Sequence, residues 1–542
     1  MNILGIHSGH DASICLLSNG CIEKYFLTER FTRKKHDSFF LSRQISDLFK
    51  DYKIDAVAVS TMIPKRKDQE SYINSFLYDV KDLCYNYSDN HHASHASICY
   101  YNSGFNSSLV FVVDGQAGSP IVDNENIQLA ECESIYKYKK DEKECLYKKV
   151  KEIDSNALSS FRPTNCEYDY TSIMGLGALY DEAAIVTGNT ADDCGKAMGL
   201  SSYGKSNKDF QDMFVKENTL NNDFFKQEHI INFLSNPTKL ITEDNYKIYA
   251  DFCYEVQQQT QKAFADLIEK WSKETGIKNI CITGGYGMNV VANYYLLKRF
   301  PNLNFYFEPM CNDSGLSIGA AMHLYSKLKK WYQPKIKPNE TTSFHGYNYS
   351  YSSFSQYGVK ESVSGIANKL KNNKSVAIYS GQAEAGQRAL GNRSILFNAL
   401  NPNAKDIVNK IKNREWYRPF AAVVLQEDAN FYFDMSLMQS SPFMTVAFPV
   451  KTDLIPGVTH VDNTCRVQTV TTTDGHLYDL LIEFKKITGH GILLNTSLNL
   501  AGDPLVETPQ DAFNVLMSSN LDYLWFPEIG RVHDHSPIYT TN

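Results

Sequence analysis

The chain has 542 residues, enough for two or more domains that each bury a core of their own. Hydrophobic residues at 43% and charged residues at 21% are ordinary for a globular protein and exclude a disordered or fibrous chain. A formal charge of −7 excludes a general basic field for indiscriminate nucleic-acid binding, though it leaves room for a local basic groove.

Twelve cysteines are scattered with no C-x-x-C pair, so neither a disulfide framework nor a zinc ribbon is expected. Reduced thiols and a cytoplasmic location are. The start, MNILGIHSGHDAS, has no basic leader and no long apolar run, so no signal peptide is expected there. No stretch of 18 apolar residues occurs, and a membrane is not an expected partner.

In chain order, Asn2–Ser8 reads as a strand, 13–17 as a second and 21–27 as a third, with Asn19-Gly20 as the hairpin turn between the last two. The first turn carries His7, Gly9, His10 and Asp11, where backbone can approach a ligand. Residues 55–60 form an apolar strand. His91-His92-Ala93-Ser94-His95-Ala96 follows. On a helix His91 and His95 are i and i+4 and share one face, the spacing that zincin-type helices use for two metal ligands. The apolar strand 109–113 leads to Asp114 and Gly115, a carboxylate placed at a strand end to complete a metal or phosphate site. Residues 120–165 are polar and lysine-rich and read as an insertion or lid. Gly175–Tyr180 and Gly195–Leu200 are glycine-spaced helix starts, and Lys196 in the second could present a cation to nucleotide phosphates.

Residues 251–275 are an amphipathic helix, with Phe264, Leu267, Ile268 and Trp271 at i, i+3, i+4 and i+7 and Gly276 as its stop. Asn279–Thr283 is a strand running into Gly284-Gly285-Tyr286-Gly287-Met288-Asn289, a glycine turn suited to phosphate or ribose. A further strand at 305–307 precedes Asn312 and Asp313, the latter a second aspartate ahead of a helix (316–324) and a candidate fourth metal ligand. Proline-bearing polar sequence over 329–355 reads as an interdomain linker. No internal repeat stands out.

Past the linker, strand 375–379 leads into 381–420, which holds GQAEAGQRALGNRSIL and KNREWYRPF. Arg388 and Arg393 sit five residues apart, and Lys412, Arg414 and Arg418 form a second cluster. Planar guanidinium groups on turns, beside N–H groups exposed at glycine, suit a small oxyanion. The alternative is a solvated basic face. Gly386, Leu390, Gly391 and Ile395 among the arginines weigh against it. Strands are expected at 443–450 and 491–494. Arg466 adds one more cation, and Asn495 with its neighbours offers amides and hydroxyls that could orient a planar carbamoyl or carboxylate group.

These stretches closely resemble the NodU/CmcH/TobZ-type O-carbamoyltransferases. The likeness rests on LGIHSGHDAS, TERFTRKKHD, HHASHA, VVDG, GKAMGL, GGYGMNVVAN, NDSGLSIGAA, QRALGNRSIL, KNREWYRPFA, THVDNTCRVQTV and LLNTSLN, and covers nearly the whole chain. GGYGMN replaces the more usual GGVALN, and GQAEAGQRALGNR stands where a GRMEFGPRALGNR-like form is more common. The resemblance implies an α/β protein of two domains. Residues 1–340 would be of the actin/Hsp70/sugar-kinase (ASKHA) type, like tRNA threonylcarbamoyl-transfer subunits, and 341–542 would be YrdC-like with a twisted sheet. It implies that carbamoyl phosphate becomes carbamate in the second domain. Carbamate then passes inside the protein to the first, where ATP adenylates it and the carbamoyl group goes to a hydroxyl, releasing AMP.

Residue by residue, the resemblance places Arg388, Lys412 and Arg418 on carbamoyl phosphate, helped by Arg393, Arg414, Arg466 and Asn495. Lys196, Gly284, Gly285, Asn289 and Asn312 would line ATP. His91, His95, Asp114 and Asp313 would hold one metal, iron(II) or another divalent ion such as magnesium. His10 would be the general base. The expected acceptor is a small-molecule hydroxyl on a sugar, antibiotic or other natural product, or the hydroxymethyl group of a modified pyrimidine in a nucleotide or DNA. A basic patch of Arg30, Arg33, Lys34 and Lys35 could serve the latter, and the acceptor pocket is expected within 60–90 and 120–170. A homodimer is a possible assembly. The rival readings are a sugar-kinase-like phosphotransferase and a non-catalytic nucleotide-binding regulator.

Overall fold

The computed structural model describes residues 1–38, 49, 51–61, 84–87, 91–117, 129–140, 142–152, 166–171, 174–328, 343–351, 354 and 358–535. They form two compact units, Met1–Thr28 with His36–Thr342 and Glu29–Lys35 with Ser343–Asn542. The linker expected over 329–355 and much of the acceptor region expected within 60–90 and 120–170 lie outside the described residues.

The first sheet of the N-terminal unit is built from β1 (Asn2–Ser8), β2 (Ser13–Ser18), β3 (Cys21–Leu27), β4 (Ala56–Thr61) and β5 (Cys84–Tyr87), in the order β3-β2-β1-β4-β5. The first three form an antiparallel meander, and β4 and β5 continue parallel to β1. Tight turns at Asn19 (φ 51) and Gly20 (φ 87) close the β2–β3 hairpin, as the Asn-Gly pair implies.

The second sheet repeats this plan. It comprises β6 (Ser107–Ala117), β7 (Leu129–Lys139), β8 (Glu142–Glu152) and β9 (Glu167–Thr171), then, beyond a two-stranded ribbon of β10 (Phe214–Lys216) and β11 (Thr219–Leu220), β12 (Asn279–Thr283) and β13 (Asn304–Phe307). The order is β13-β12-β6-β7-β8-β9. Again a meander (β6–β7–β8) is extended through its first strand by parallel neighbours, β12 and β13. The expectation that 120–165 is an insertion or lid is therefore corrected, because β7 and β8 are integral strands of this sheet. Their lysines and glutamates hide the pattern. Lys149 and Glu133 are both buried, and Glu133 accepts from the Leu176 N–H at 2.7 Å, so charges here fill core positions.

The C-terminal unit is one nine-stranded mixed sheet. Its strands are β14 (Val359–Lys360), β15 (Val376–Tyr379), β16 (Arg393–Phe397), β17 (Ala421–Leu425), β18 (Ala447–Pro449), β19 (Thr464–Val470), β20 (Ile492–Ser497), β21 (Tyr523–Phe526) and β22 (Arg531–His533). They run in the order β14-β22-β21-β15-β16-β20-β17-β19-β18. Alternation along β15 divides the core into two layers. Val376 and Ile378 pack with Leu370, Leu481 and Phe484 of helices Val363–Lys371 and His476–Thr488. Ala377 and Tyr379 pack with Ile411, Ala512 and Leu516 of helices Ala404–Lys412 and Pro509–Ser518. Each fully buried large apolar side chain there contributes roughly 1.5–3 kcal/mol. The strand expected at 443–450 is shorter, Ala447–Pro449. The one expected at 491–494 runs on to Ser497, which puts Asn495 inside a strand. Helix Ala404–Lys412 stops at Asn413 in the left-handed conformation (φ 49), and that turn launches the second cationic cluster.

Candidate functional site

Helix His91–Ser103 is buried on nearly every side. Small residues between its histidines let another backbone come close. At Gly319 of helix Leu316–Leu328 an added Cβ would meet the Ser94 carbonyl oxygen at 2.1 Å, so only glycine fits there. That approach brings Asp313, in the turn Asp313–Gly315, against the face bearing His91 and His95. Asp114 comes from β6. It lies at an irregularity of that strand between Val113 and Ala117, not at the strand end the pattern suggests. Its Oδ1 accepts the N–H groups of Gly115 (3.0 Å) and Gly285 (3.1 Å), which turns Oδ2 towards the histidines.

His91 Nε2 stands 3.2 Å from Asp114 Oδ2 and 3.5 Å from Asp313 Oδ1. His95 Nε2 stands 3.4 Å and 3.3 Å from the same two oxygens. One ligand atom from each of the four residues lies within 4.8 Å of the others. Separations near 3.3 Å are the ligand-to-ligand edges of a shell whose bonds are about 2.0–2.2 Å long. The donor set of two imidazoles and two carboxylates fits a transition-metal dication better than magnesium, which prefers oxygen. Burial pushes both imidazoles down, but Asp313 and Asp114 outweigh it, raising His91 to about 10 and raising His95 as well. Burial also opposes charge on the carboxylates, yet the imidazoles hold both well below the usual carboxylate range.

Beside this cluster, His10 Nε2 stands 2.8 Å from Asp192 Oδ1, and its Nδ1 is 3.4 Å from Asp11 Oδ2. Asp11 (φ 56) is held in turn by His36 Nδ1 at 2.8 Å and Asn312 Nδ2 at 2.9 Å. The rings of His10 and His36 stack at 4.5 Å. Burial works against protonation of His10, but Asp192 and Asp11 prevail and raise it to about 9. His10 is thus clamped between two carboxylates and faces partly outward.

The expected nucleotide residues fare unevenly. Gly285 acts through Asp114, as above. Gly284 (φ 85) is required because a Cβ there would meet the Val113 carbonyl oxygen at 2.3 Å. Lys196 donates to Asn189 Oδ1 at 3.0 Å and pairs with Asp193 at 3.2 Å. Two further expected residues already have partners. The Asn289 side chain caps helix Val290–Arg299 through Ala292 N–H and donates to Gln257, and the Asn312 side chain binds Asp11 and Ser314. Both amides are engaged within the protein.

In the C-terminal unit the arginine stretch separates into two kinds of residue. Arg393 is fully buried, stacks 3.6 Å from the centre of the Tyr379 ring, and donates to the carbonyls of Ser380, Gly381, Asn392 and Glu507. It fastens the strand ends. Lys412 likewise donates to Ser497 and Asn499 at the end of β20. Burial, Arg414 and Arg418 push its ammonium well down.

Arg466 is the centre of the second kind. Burial, then Arg388, then Arg414 and Arg418 hold its guanidinium well below the usual arginine range, with Cys465 opposing them, and its Nε has no hydrogen-bond partner among the described residues. Arg414 is lowered by burial and by Arg418; it donates to Asn409 Oδ1 at 2.6 Å and lies 4.0 Å over the Phe420 ring. In register Asn495, Ala421 and Arg466 lie side by side across β20, β17 and β19. Asn495 Nδ2 donates to Ala389 O and Gln468 Oε1, and its buried Oδ1 has no partner among the described residues.

Acids also stand within these clusters. Glu415 pairs with Arg418 at 3.5 Å, and Glu384 is buried within the first stretch. Sequence reading also passed over Asp192 and Gln468. A glutamate inside GQAEAG was the available signal for Glu384; nothing local marked Asp192.

Comparison with known proteins places both parts of the chain in one family. The family model for the carbamoyltransferase N-terminus matches residues 71–322, and that for the carbamoyltransferase C-terminus matches 367–530. The chain belongs to the carbamoyltransferase family and is an enzyme of that class. It is similar to the uncharacterized protein sll1178 of Synechocystis sp., at 27% identity over 96% of this chain and 95% of that one. It is also similar to nodulation protein NolO of Bradyrhizobium diazoefficiens, at 27% identity over 80% and 77% of the two chains. Among solved structures it is similar to HypF of T. kodakarensis, with 13% identity, a TM-score of 0.40, and coverage of 60% of this chain and 48% of that one. Among the described residues no helix is long and apolar enough to cross a membrane.

Proposed function

We propose that the chain is an ATP-dependent O-carbamoyltransferase that divides its work between its two units. The observation that carries this reading is the pairing of chemistries: a buried Arg466 acted on by Arg388, Arg414 and Arg418 in one unit, and a buried His/His/Asp/Asp set beside a carboxylate-clamped histidine in the other. The first suits an acyl phosphate and the second suits nucleotide activation followed by proton removal.

Carbamoyl phosphate binds in the C-terminal unit through Arg388, Arg418 and Arg466, with Lys412 and Arg414 adding positive charge. Water cleaves it to carbamate and inorganic phosphate, and the guanidinium groups stabilise charge on the departing phosphate. Carbamate then attacks the α-phosphorus of ATP in the N-terminal unit, giving carbamoyl-adenylate and pyrophosphate. An acceptor hydroxyl attacks the carbamoyl carbon, the bond to AMP breaks, and the hydroxyl proton passes to His10. Asp192 and Asp11 orient that ring and stabilise its protonated form. His91, His95, Asp114 and Asp313 would hold a divalent metal (iron(II) in the resemblance), which would supply Lewis-acid charge for nucleotide activation. Carbamate decomposes in water, so shielding it favours keeping both steps in one chain. The acceptor is a hydroxyl compound, on a sugar, natural product or hydroxymethylated pyrimidine.

The test is product analysis of the full chain with ATP, carbamoyl phosphate and a panel of hydroxyl acceptors. The expected products are pyrophosphate, AMP and an acceptor heavier by one carbamoyl group. Release of ADP with a phosphorylated acceptor would instead identify a kinase, and no turnover with any acceptor would identify a regulator.

A further inference from the structure

The loop that carries Arg388 is fixed from within to an unusual degree. Glu384 is 2% exposed, and its Oε1 accepts three backbone N–H groups, from Leu390 (2.7 Å), Asn392 (3.0 Å) and Arg393 (3.2 Å). Gln468 Nε2, from β19, donates to the Leu390 carbonyl at 2.7 Å. Asn495 Nδ2, from β20, donates to the Ala389 carbonyl at 3.2 Å and to Gln468 Oε1 at 2.9 Å. Gly391, at φ 119, is tied by Ser394 Oγ and His476 Nε2 at 3.0 and 3.1 Å. Side chains thus take up the polar backbone on the C-terminal side of Arg388. Glu384 itself forms an isolated antiparallel bridge with Phe344.

A single carboxylate oxygen collecting three N–H groups is the device by which proteins normally cradle a bound anion, here turned inward. Glu384 sits four residues from Arg388 in the chain. We infer that Glu384 is a positioning residue. It holds the 388–393 loop closed and so presents Arg388 to a bound oxyanion before the ligand arrives. Gln468 and Asn495 brace the opposite edge of the loop. Preorganisation of this kind lowers the ordering cost of binding and appears in affinity for the anion. The inference rests on the cationic cluster being an anion site.

Inorganic phosphate titrated into the full chain by calorimetry tests it, with Arg388→Ala defining the component that belongs to this site. Glu384→Ala is expected to weaken the Arg388-dependent affinity by about tenfold or more. Glu384→Gln keeps an acceptor oxygen and is expected to lose no more than about threefold. The KM for ATP should stay within about twofold in both variants. Wild-type phosphate affinity in Glu384→Ala overturns the inference, as does an equal loss in the ATP KM, which would mark a general folding role. Should Glu384→Ala fail to fold, Gln468→Met decides, with a weakening of about threefold or more expected and wild-type affinity overturning. A wild-type chain that binds phosphate through Arg388 but makes no AMP would defeat the proposed reaction and leave this inference standing. Absence of any Arg388-dependent phosphate binding would defeat the inference itself.

Discussion

The N-terminal and C-terminal sites solve opposite electrostatic problems. At His91, His95, Asp114 and Asp313 the charges alternate, so each group strengthens the ionised form of its neighbour. In the C-terminal unit burial and neighbouring cations act together: Arg388, Arg414 and Arg418 lower Arg466, and Arg418 lowers Arg414, while Glu415 pairs with Arg418 at 3.5 Å. A metal entering the first site must displace protons and break existing contacts. An anion entering the second relieves repulsion that is already there. On the proposed reading, the first site would discriminate by geometry and protonation, whereas the second would be an electrostatic well whose ligand also stabilises the fold.

Breaking the first site gives the largest effect. His91→Ala or His95→Ala should cut AMP formation by about a thousandfold or more and remove the bound metal. Elemental analysis alongside activity checks this, and full activity without metal would remove the metal from the proposed reaction. Arg466→Met should lower kcat/KM for carbamoyl phosphate by about a hundredfold. The same variant should leave the unfolding midpoint in phosphate-free buffer unchanged or raised by about 2 °C, because a repelled cation gives way to an apolar side chain. A fall of several degrees would show that the cluster is stabilising and not strained.

The pH dependence sharpens the contrast further. His10 is raised to about 9, so its protonated form is favoured in the fold. The stabilisation it brings is complete below its ordinary value of 6.5 and is lost as pH rises through about 9. As a base it must be neutral, so the transfer rate should climb towards pH 9. Asp192→Asn should move that limb down towards 6.5, read from the pH–rate profile; an unmoved limb would detach Asp192 from His10. The smallest effect expected is from ligand alone. Phosphate at ten to a hundred times its Kd should stabilise the chain by roughly 1.4–2.7 kcal/mol, less at high salt, and this gain should vanish in Arg388→Ala.

Much of both sites was legible because local periodicity set it. The i, i+4 histidines do lie on a helix, Gly276 (φ 68) does end the long helix, which begins at Tyr246, and Asn279–Thr283 is a strand as its apolar run implies. What stayed hidden depends on tertiary partners. No local pattern shows that Arg393 faces four carbonyls while Arg466 faces other arginines. Asn289 and Asn312 look ligand-ready until their caps and partners are seen. The repeated sheet plan is invisible because β2 is largely apolar whereas its counterpart β7 and the neighbouring β8 carry buried ion pairs such as Lys149 with Glu133. Glu384 is concealed for a related reason, since an acid among arginines reads as a counter-ion, whereas here it binds backbone.

The division of labour between the sites has one direct measurement. Ammonium carbamate supplied with ATP and an acceptor should bypass the C-terminal unit. AMP and carbamoylated product should then form in Arg388→Ala at close to the wild-type rate, while His91→Ala stays inactive. Inactivity of Arg388→Ala with carbamate, or recovery of His91→Ala, would contradict the two-site account.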